Sequence, residues 1–204
     1  VAEFIKYCVD NKIVVSLGHQ LANVEQVNDA VNAGACAMTH LGNGLPNLIH
    51  RHKNIIWKGL SDDRLSIMLI TDGNHLPKEL IRVMFRSKPL PLIIVTSDVA
   101  PVAGMPDGKY DFAETKIEKK NGRALLDGTT LAGSIVTMDR TFKNLIDMNF
   151  SVQEAVELTS YNASQYLGIP NIGRIEKGFL SNFLVLDKEF NLVDVYLEGK
   201  KINE

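Results

Sequence analysis

Short apolar runs alternate with helical patterns along the first hundred residues, and this alternation is the feature that most constrains the fold. Helices are predicted around residues 4–8, 24–33 and 77–87. The apolar runs between them have the length of strands, most clearly LSIMLIT at 65–71 and LIIVTS at 92–97. Strands that alternate with helices favour a parallel sheet covered by helices. We therefore expect an α/β protein.

Polar side chains follow the carboxyl ends of the four predicted strands. They are His19 after the first strand, His40 and Asn43 after the second, Asp72 and His75 after the third, and Asp98 after the fourth. In barrels of alternating strands and helices, these strand ends meet on one face, where active sites are built. Imidazole and carboxylate groups are ligands that zinc and similar divalent ions prefer. The pattern therefore predicts a metal-binding rim.

Each of these side chains also has a plainer interpretation. A single histidine after a strand is more often a hydrogen-bonding loop residue than a metal ligand. Asp72 is expected to be a turn or helix-cap acid, and His50 and His52 are expected to be solvated in a basic loop. Two strand-end histidines on neighbouring strands, with Asp98 on a third, favour the functional interpretation.

The second half of the chain differs in pattern from the first. Asn121-Gly122, between alternating apolar and polar residues, predicts a β-hairpin. A helix should follow, with one apolar face formed by Ile135, Met138, Phe142 and Ile146. Ser151 and Glu154 have the spacing of a capping box at the start of another helix. The segments FLVLD at 183–187 and VDVYLEG at 193–199 are expected to be antiparallel strands.

Composition excludes several classes of protein. The formal net charge is −2, which provides no basic surface for nucleic acid. No apolar run reaches the roughly 18–20 residues of a membrane span, and the first ten residues lack a signal-peptide pattern. The two cysteines, Cys8 and Cys36, are too few for a disulfide framework. We expect a cytoplasmic protein with reduced, structural cysteines.

Several motifs, taken in order, resemble those of the N-acetylglucosamine-6-phosphate deacetylase family of the amidohydrolase superfamily. They are SLGHQ, THLGNGLPN, TDGNHL, VTSDVAPVAG, DGTTLAGSIVTMDR, LTSYNASQYLG, GRIEKG and LVLD. The resemblance covers nearly the whole chain but only the carboxyl-terminal part of the family protein.

The resemblance implies the carboxyl-terminal part of a TIM-type (β/α)8 metal-dependent hydrolase barrel, with part of a small β-sandwich. Residues 1–172 would form the partial barrel, with a β-hairpin excursion near 109–127. Residues 173–204 would supply the carboxyl-terminal strands of the sandwich. The implied reaction is deacetylation of N-acetylglucosamine 6-phosphate to glucosamine 6-phosphate and acetate.

Metal-binding and catalytic roles follow from the same resemblance. His19 and His40 match the two histidines that hold a single divalent ion, and the family's glutamate ligand has no counterpart in this chain. Zinc is expected first, and iron, manganese and cobalt suit the same ligands. Asp98 matches the catalytic acid, which moves a proton from the attacking water to the departing amine.

The resemblance also assigns the contacts to the phosphosugar. Asn43 and the backbone of Gly44 match positions that contact the sugar, and Leu131 matches a residue that closes over it. Arg51 and His75 match the phosphate-binding pair. In the family the arginine comes from a neighbouring subunit, so a homodimer with Arg51 donated across the interface is expected.

The chain departs from the family pattern beside these residues, and two alternatives stay open. Gln20 follows the first histidine in place of a small residue, while Gly42 and Gly44 replace larger ones. One alternative is another amidohydrolase-superfamily C–N hydrolase that lacks the phosphate pair. The other is a non-catalytic remnant that binds a ligand or a partner. Because the early barrel strands are absent, we expect the 204-residue chain alone to show little activity and weak metal affinity.

Overall fold

The structure, a computed structural model, describes residues 1–112 and 114–202. Within these ranges the chain forms seven α-helices. They are α1 (Ala2–Asp10), α2 (Val24–Asn32), α3 (Ile55–Ser61), α4 (Lys78–Ser87), α5 (Met138–Asp147), α6 (Val152–Val156) and α7 (Asn162–Tyr166). A π-helical turn at Glu157–Tyr161 joins α6 to α7, and a 3₁₀ turn at Leu90–Leu92 follows α4.

Four parallel strands form the first sheet, as the alternation of strands and helices predicts. They are β1 (Ser16–Leu17), β2 (Ala37–Met38), β3 (Ser66–Ile70) and β4 (Ile93–Thr96), and they lie side by side in chain order. The register pairs Ser16 with Ala37 and Ile67 with Ile93. The carboxyl ends of all four strands therefore lie along one edge of the sheet.

Capping residues fix where the helices beside this sheet begin. The Asn23 side chain accepts a hydrogen bond from the Gln26 backbone N–H, and the Gln26 side chain accepts one from the Asn23 N–H, so α2 starts with a capping box. The predicted box of Ser151 and Glu154 forms at the start of α6. Pro77 precedes α4 as its N-cap. The two boxes satisfy N–H groups that have no partner within a helix.

The main core lies where the helices cover the sheet. Leu65, Ile67 and Leu69 are fully buried in and beside β3, and Met84 of α4 packs in the same cluster. The cluster extends to Leu145 of α5. Burial of this apolar surface provides the main driving force for the fold.

A four-stranded antiparallel meander follows the parallel sheet, formed by β5 (Gly108–Phe112), β6 (Thr115–Lys120), β7 (Arg123–Leu126) and β8 (Thr130–Leu131). Asn121 and Gly122 both have positive φ angles, 49° and 74°, in the tight turn between β6 and β7, as a type I′ hairpin requires. Ile117 and Ala124 pack against Ala100 and Val102 in the loop after β4. The meander is therefore attached to the carboxyl end of β4.

The start of the helix after the meander differs from the prediction. The sequence pattern places Ile135 on the apolar face of that helix, but α5 begins at Met138 with Thr137 as its N-cap. Ile135 instead packs against the meander cluster. The Ser134 hydroxyl accepts a hydrogen bond from the Val136 N–H, so this stretch is a turn and not the first turn of a helix.

The last sheet contains three antiparallel strands: β9 (Phe183–Leu186), β10 (Leu192–Leu197) and β11 (Lys200–Lys201), with β10 in the centre. The predicted ranges 109–127 and 173–204 also include Ala113 and residues 203–204, which lie outside the described residues. Across the described ranges, no helix is both long enough and apolar enough to cross a membrane.

Candidate active site at the carboxyl edge of the parallel sheet

Three predicted site residues have the same unusual backbone conformation. His19, His40 and Asp98, which follow β1, β2 and β4, have φ angles of 46°, 33° and 47°. Residues other than glycine rarely adopt this left-handed region, and each such residue costs on the order of 1–3 kcal/mol. Strained backbone of this kind concentrates at functional sites. Its repetition at three strand ends marks this edge of the sheet as the candidate site.

His19 and His40 are in contact. Their ring centroids lie 4.6 Å apart and the ring planes meet at 77°. Gly44 lies against the His19 ring, because a Cβ atom at this position would come within 3.0 Å of ring atoms Cγ and Nδ1. Gly44 also has a positive φ of 64°. A glycine at this position therefore leaves room for the ring of His19.

His40 is buried, and its Nδ1 atom has no hydrogen-bond partner in the described part of the chain. The pKa of His40 is lowered, chiefly because the ring is buried. The charges of His19 and His75 also lower it, whereas the backbone carbonyl of His40 and the charge of Asp98 act in the opposite direction. His19, Asp98 and His75 therefore all act electrostatically on the His40 ring. A neutral imidazole with a free ring nitrogen is the form that binds metal ions.

These two imidazoles fit a divalent ion as part of its ligand set. Metal ions in proteins usually have three or four protein ligands, and residues 1–112 and 114–202 contain no cluster of three or more His, Cys, Asp or Glu side chains placed to hold one. Asp98 does not complete such a cluster with the two histidines. The described residues therefore bring together two imidazoles without a third metal-binding side chain.

The backbone after Asp98 is held by a segment that comes from beyond the meander. Ser134 N–H donates to the Asp98 carbonyl oxygen at 2.7 Å, and Ala100 N–H donates to the Ser134 carbonyl oxygen at 2.7 Å. Val99 and Ser134 form a parallel bridge. Gly133 lies so close that a Cβ atom there would be 2.8 Å from the Asp98 carbonyl oxygen. The motif at 127–140 does not by itself reveal this role in holding Asp98.

Asn43 lies in the loop after β2, and its side chain folds back onto His40. Its backbone N–H and its Nδ2 atom both donate to the His40 carbonyl oxygen, at 2.9 Å and 3.2 Å. Asn43 thus supports the turn that directs the histidine. The half-buried Leu131 pairs with Leu125 in the meander.

His75 lies in the loop after β3 and is bonded to Asp72. The His75 Nδ1 atom is 2.8 Å from Asp72 Oδ2, while Asp72 Oδ1 accepts the backbone N–H groups of Asn74 and His75. Asp72 is therefore the turn acid that the sequence predicts. Its second bond, to the imidazole ring, is not predictable from the local sequence pattern.

Arg51 lies in an exposed loop, which the indole N–H of Trp57 anchors by donating to the Arg51 carbonyl oxygen at 2.8 Å. Among the described residues, no hydrogen bond or ion pair joins the Arg51 guanidinium to His75. His50 and His52 are exposed, as expected. His50 Nδ1 accepts the N–H groups of His52 and Lys53, which shapes the loop before α3.

The amidohydrolase family profile matches residues 2–202 of this chain. N-acetylglucosamine-6-phosphate deacetylase from Lysinibacillus sphaericus is 31% identical over 192 residues, which cover 94% of this chain and 50% of the relative. The structure of N-acetylglucosamine-6-phosphate deacetylase from Thermotoga maritima superposes with a TM-score of 0.91 at 31% identity, covering 98% of this chain and 55% of that one.

A mutant of N-acetyl-D-glucosamine-6-phosphate deacetylase from Mycobacterium smegmatis, solved in complex with N-acetyl-D-glucosamine-6-phosphate, also superposes with a TM-score of 0.91. Its identity to this chain is 26%, and the match covers 98% of this chain and 54% of that one.

Fold and site together define part of a TIM-barrel-type hydrolase, and the structural likeness confirms this prediction. The chain belongs to the amidohydrolase family. Members of this superfamily generally use a divalent metal. The chain spans about half the length of the curated relatives it matches.

Proposed function

We propose that the protein containing this chain hydrolyses N-acetylglucosamine 6-phosphate to glucosamine 6-phosphate and acetate. The observation that carries the proposal is the contact between His19 and His40, with Asp98 as an electrostatic neighbour, at the carboxyl edge of the sheet. The substrate is inferred from the relatives, which are N-acetylglucosamine-6-phosphate deacetylases.

The proposed metal ligands in this chain are His19 and His40. Both carry imidazole nitrogens of the kind that zinc, iron, manganese and cobalt accept as ligands, and zinc is the first choice. A divalent ion bound there would polarise the acetamide carbonyl as a Lewis acid. The remaining protein ligand of the proposed site would lie outside the described residues.

Asp98 is proposed as the group that moves the proton. Its carboxylate would take a proton from the attacking water as the new C–O bond forms at the acetyl carbon. It would then give that proton to the nitrogen as the C–N bond breaks, so that acetate and the amine leave. The hydrogen bond from Ser134 to the Asp98 carbonyl oxygen would fix the position of this acid.

The phosphosugar would contact the loops beside these residues. Arg51 and His75 are proposed for the phosphate, because a guanidinium offers a planar pair of donors and an imidazole adds a directional one. Asn43 and the Gly44 backbone are proposed for the sugar. Leu131, at the edge of the meander, would cover it.

We further propose that Arg51 reaches the site from a second subunit of a homodimer. The exposed position of its loop supports this assignment, as does the lack of any bond to His75 within the described residues. We also propose residues 1–172 as the partial barrel, with the excursion at 109–127. Residues 173–204 would then be strands of a small β-sandwich. The cytoplasm is the proposed location.

The test uses the complete gene product that contains this chain. Acetate release should be much faster from N-acetylglucosamine 6-phosphate than from N-acetylglucosamine. Asp98→Asn should lower the rate of turnover at least about 10²-fold, because a proton-transfer group is lost. Metal analysis of this variant should show unchanged metal content. If the enzyme did not prefer the phosphorylated sugar, another amidohydrolase reaction would replace the proposal. If the variant lost its metal, Asp98 would be chiefly a ligand.

A further inference from the structure

Asp72 and His75 form a buried pair whose role goes beyond shaping a turn. The His75 side chain is 6% exposed and the Asp72 side chain is 3% exposed, and the two are joined by the 2.8 Å bond between Nδ1 and Oδ2. A buried carboxylate requires partners, because removing it from water is costly. Asp72 has three: this ring nitrogen and two backbone N–H groups.

The two oxygens of Asp72 have separate tasks. Oδ1 accepts the N–H groups of Asn74 and His75, at 2.8 Å and 2.9 Å, and this alone makes the turn after β3. Oδ2 is left for the His75 ring. A turn acid does not need this second contact, so the bond to the imidazole requires a different explanation.

Asp72 is held as a carboxylate. Burial acts to raise its pKa, but the bonds from the His75 ring and from the N–H groups of His75 and Asn74 outweigh burial and bring the pKa below its usual value. A carboxylate at Nδ1 keeps the proton on that nitrogen and orients the ring.

Nε2 is the ring nitrogen that remains for a ligand. It makes no hydrogen bond within the described residues. Two polar side-chain atoms there are fully buried without a partner, His40 Nδ1 and Thr71 Oγ1, and since Nε2 is not one of them it is not fully buried. His75 follows β3, which lies between β2 and β4 in the sheet, so His75 is on the same edge of the sheet as His40 and Asp98. The ring therefore lies beside the candidate site, with one nitrogen fixed and the other available.

We propose that Asp72 is a positioning residue that acts through His75 to select a phosphorylated sugar. It holds the imidazole by Nδ1, so that Nε2 is the ring atom that forms a hydrogen bond with the phosphate. The inference rests on the proposed function, because it assigns the phosphate of that substrate as the group His75 contacts. Asp72 itself does not touch the substrate.

Steady-state kinetics of the complete protein test this assignment. Asp72→Asn keeps an oxygen for the turn but removes the charge and places an amide at Nδ1. We expect KM for N-acetylglucosamine 6-phosphate to rise about 10-fold or more, as when the carboxylate partner of a functional histidine is lost. The rate constant kcat should change little, and kcat/KM for unphosphorylated N-acetylglucosamine should not change.

Two comparisons separate positioning from a purely structural role. Asp62→Asn is the matched control, because Asp62 is also a buried, ion-paired acid but belongs to a different cluster, with Lys58 and Arg64. It should leave the preference for the phosphorylated sugar unchanged. In a His75→Ala background, Asp72→Asn should have no further effect on KM, since residues that act through one group are not additive.

The outcomes are distinct for the two proposals. A wild-type enzyme that does not prefer the phosphorylated sugar overturns the proposed function, and the inference with it. If the wild type has this preference and Asp72→Asn retains it, or if the two substitutions add in the double variant, the inference alone is overturned.

Discussion

At the scale of single residues, the candidate site depends on backbone conformations that most side chains avoid. His19, His40 and Asp98 all have positive φ angles. Two donors from Asn43 support the turn at His40, while the Ser134 N–H supports the one at Asp98. Such strain persists only where the surroundings determine the conformation. The residues that support these turns should therefore matter for activity although they carry no reacting group.

Gly133 provides a test at this scale. Gly133→Ala would place a Cβ atom 2.8 Å from the Asp98 carbonyl oxygen at a φ of 79°, so the loop that carries Asp98 must move. We expect a loss of about 1–3 kcal/mol in unfolding free energy from the strained backbone, together with a large fall in kcat. Chemical denaturation and acetate release measure the two effects.

Gly128→Ala is the matched control for this substitution. Gly128 has a similar φ of 69°, but a Cβ atom added there would meet no other atom within 4 Å. The Gly128→Ala variant should lose stability through backbone strain alone and retain kcat. If Gly133→Ala also retained kcat, the segment at 133–134 would not position Asp98.

The sequence could predict which residues end the strands, but not how they are held. The positions of His19, His40 and Asp98 follow from the alternation of elements and from the way parallel strands align. The bond between Asp72 and His75 depends on side-chain conformations in a buried loop, and the contact of Gly133 with Asp98 joins residues separated by the whole meander. Neither contact leaves a periodic signal in the sequence.

At the scale of elements, the end of α3 is tied to β3 and α4 by a cluster of charges around Asp62. Its carboxylate accepts hydrogen bonds from Lys58 Nζ at 2.7 Å and from Arg64 Nη2 at 2.6 Å. The fully buried Lys88 Nζ donates to the carbonyl oxygens of Gly59 and Asp62. This cluster lies outside the candidate site and joins α3, β3 and α4.

Asp62→Asn should therefore lower stability in a pH-dependent way. The hydrogen bonds from Arg64, followed by those from Lys58, hold the pKa of Asp62 well below its usual value against the effect of burial. A carboxylate with a lowered pKa in the folded state stabilises the fold above its unfolded-state pKa of roughly 4 and loses that contribution as the pH falls further.

Urea denaturation of wild type and variant across pH 2–7 measures this effect. We expect the variant to be less stable by about 1–3 kcal/mol at pH 7, the usual range for hydrogen bonds to a charged group. The difference should be constant down to about pH 5 and should shrink below about pH 4. A difference that does not change with pH would mean that the charge of Asp62 contributes nothing.

Element type could be predicted better than element length. The parallel order of four strands, the turn at Asn121-Gly122 and the capping box at Ser151 follow from local pattern. The apolar runs that contain β1 and β2 are longer than the two residues that pair in each strand. Pairing depends on the neighbouring strand, which a local pattern does not report.

At the scale of the whole molecule, the parallel sheet is open on the side of β1. Within the described residues, β1 pairs only with β2, and large apolar side chains nearby in the chain are exposed, including Phe4 at 70% and Leu21 at 71%. Unpaired strand edges and apolar surface favour association. The half-length match to the relatives agrees with a barrel to which this chain contributes a part.

The 204-residue chain alone should therefore release no detectable acetate from N-acetylglucosamine 6-phosphate. With only the two imidazoles proposed as its metal ligands, it should also lose zinc on dialysis under conditions in which the complete protein retains it. Metal analysis and an acetate assay on both proteins test this expectation. Turnover by the short chain at the rate of the complete protein would show that these 204 residues form the whole site.

The position of Asp98 depends on how the meander packs against the loop after β4. Its inner residues Ile117 and Ala124 pack under Ala100 and Val102, only a few positions after the acid, and its last strand leads directly to Ser134. Random mutagenesis of the meander should therefore yield many variants that are well expressed but inactive. During evolution, substitutions of these apolar residues would therefore be removed because they lower activity, even where they leave the protein soluble.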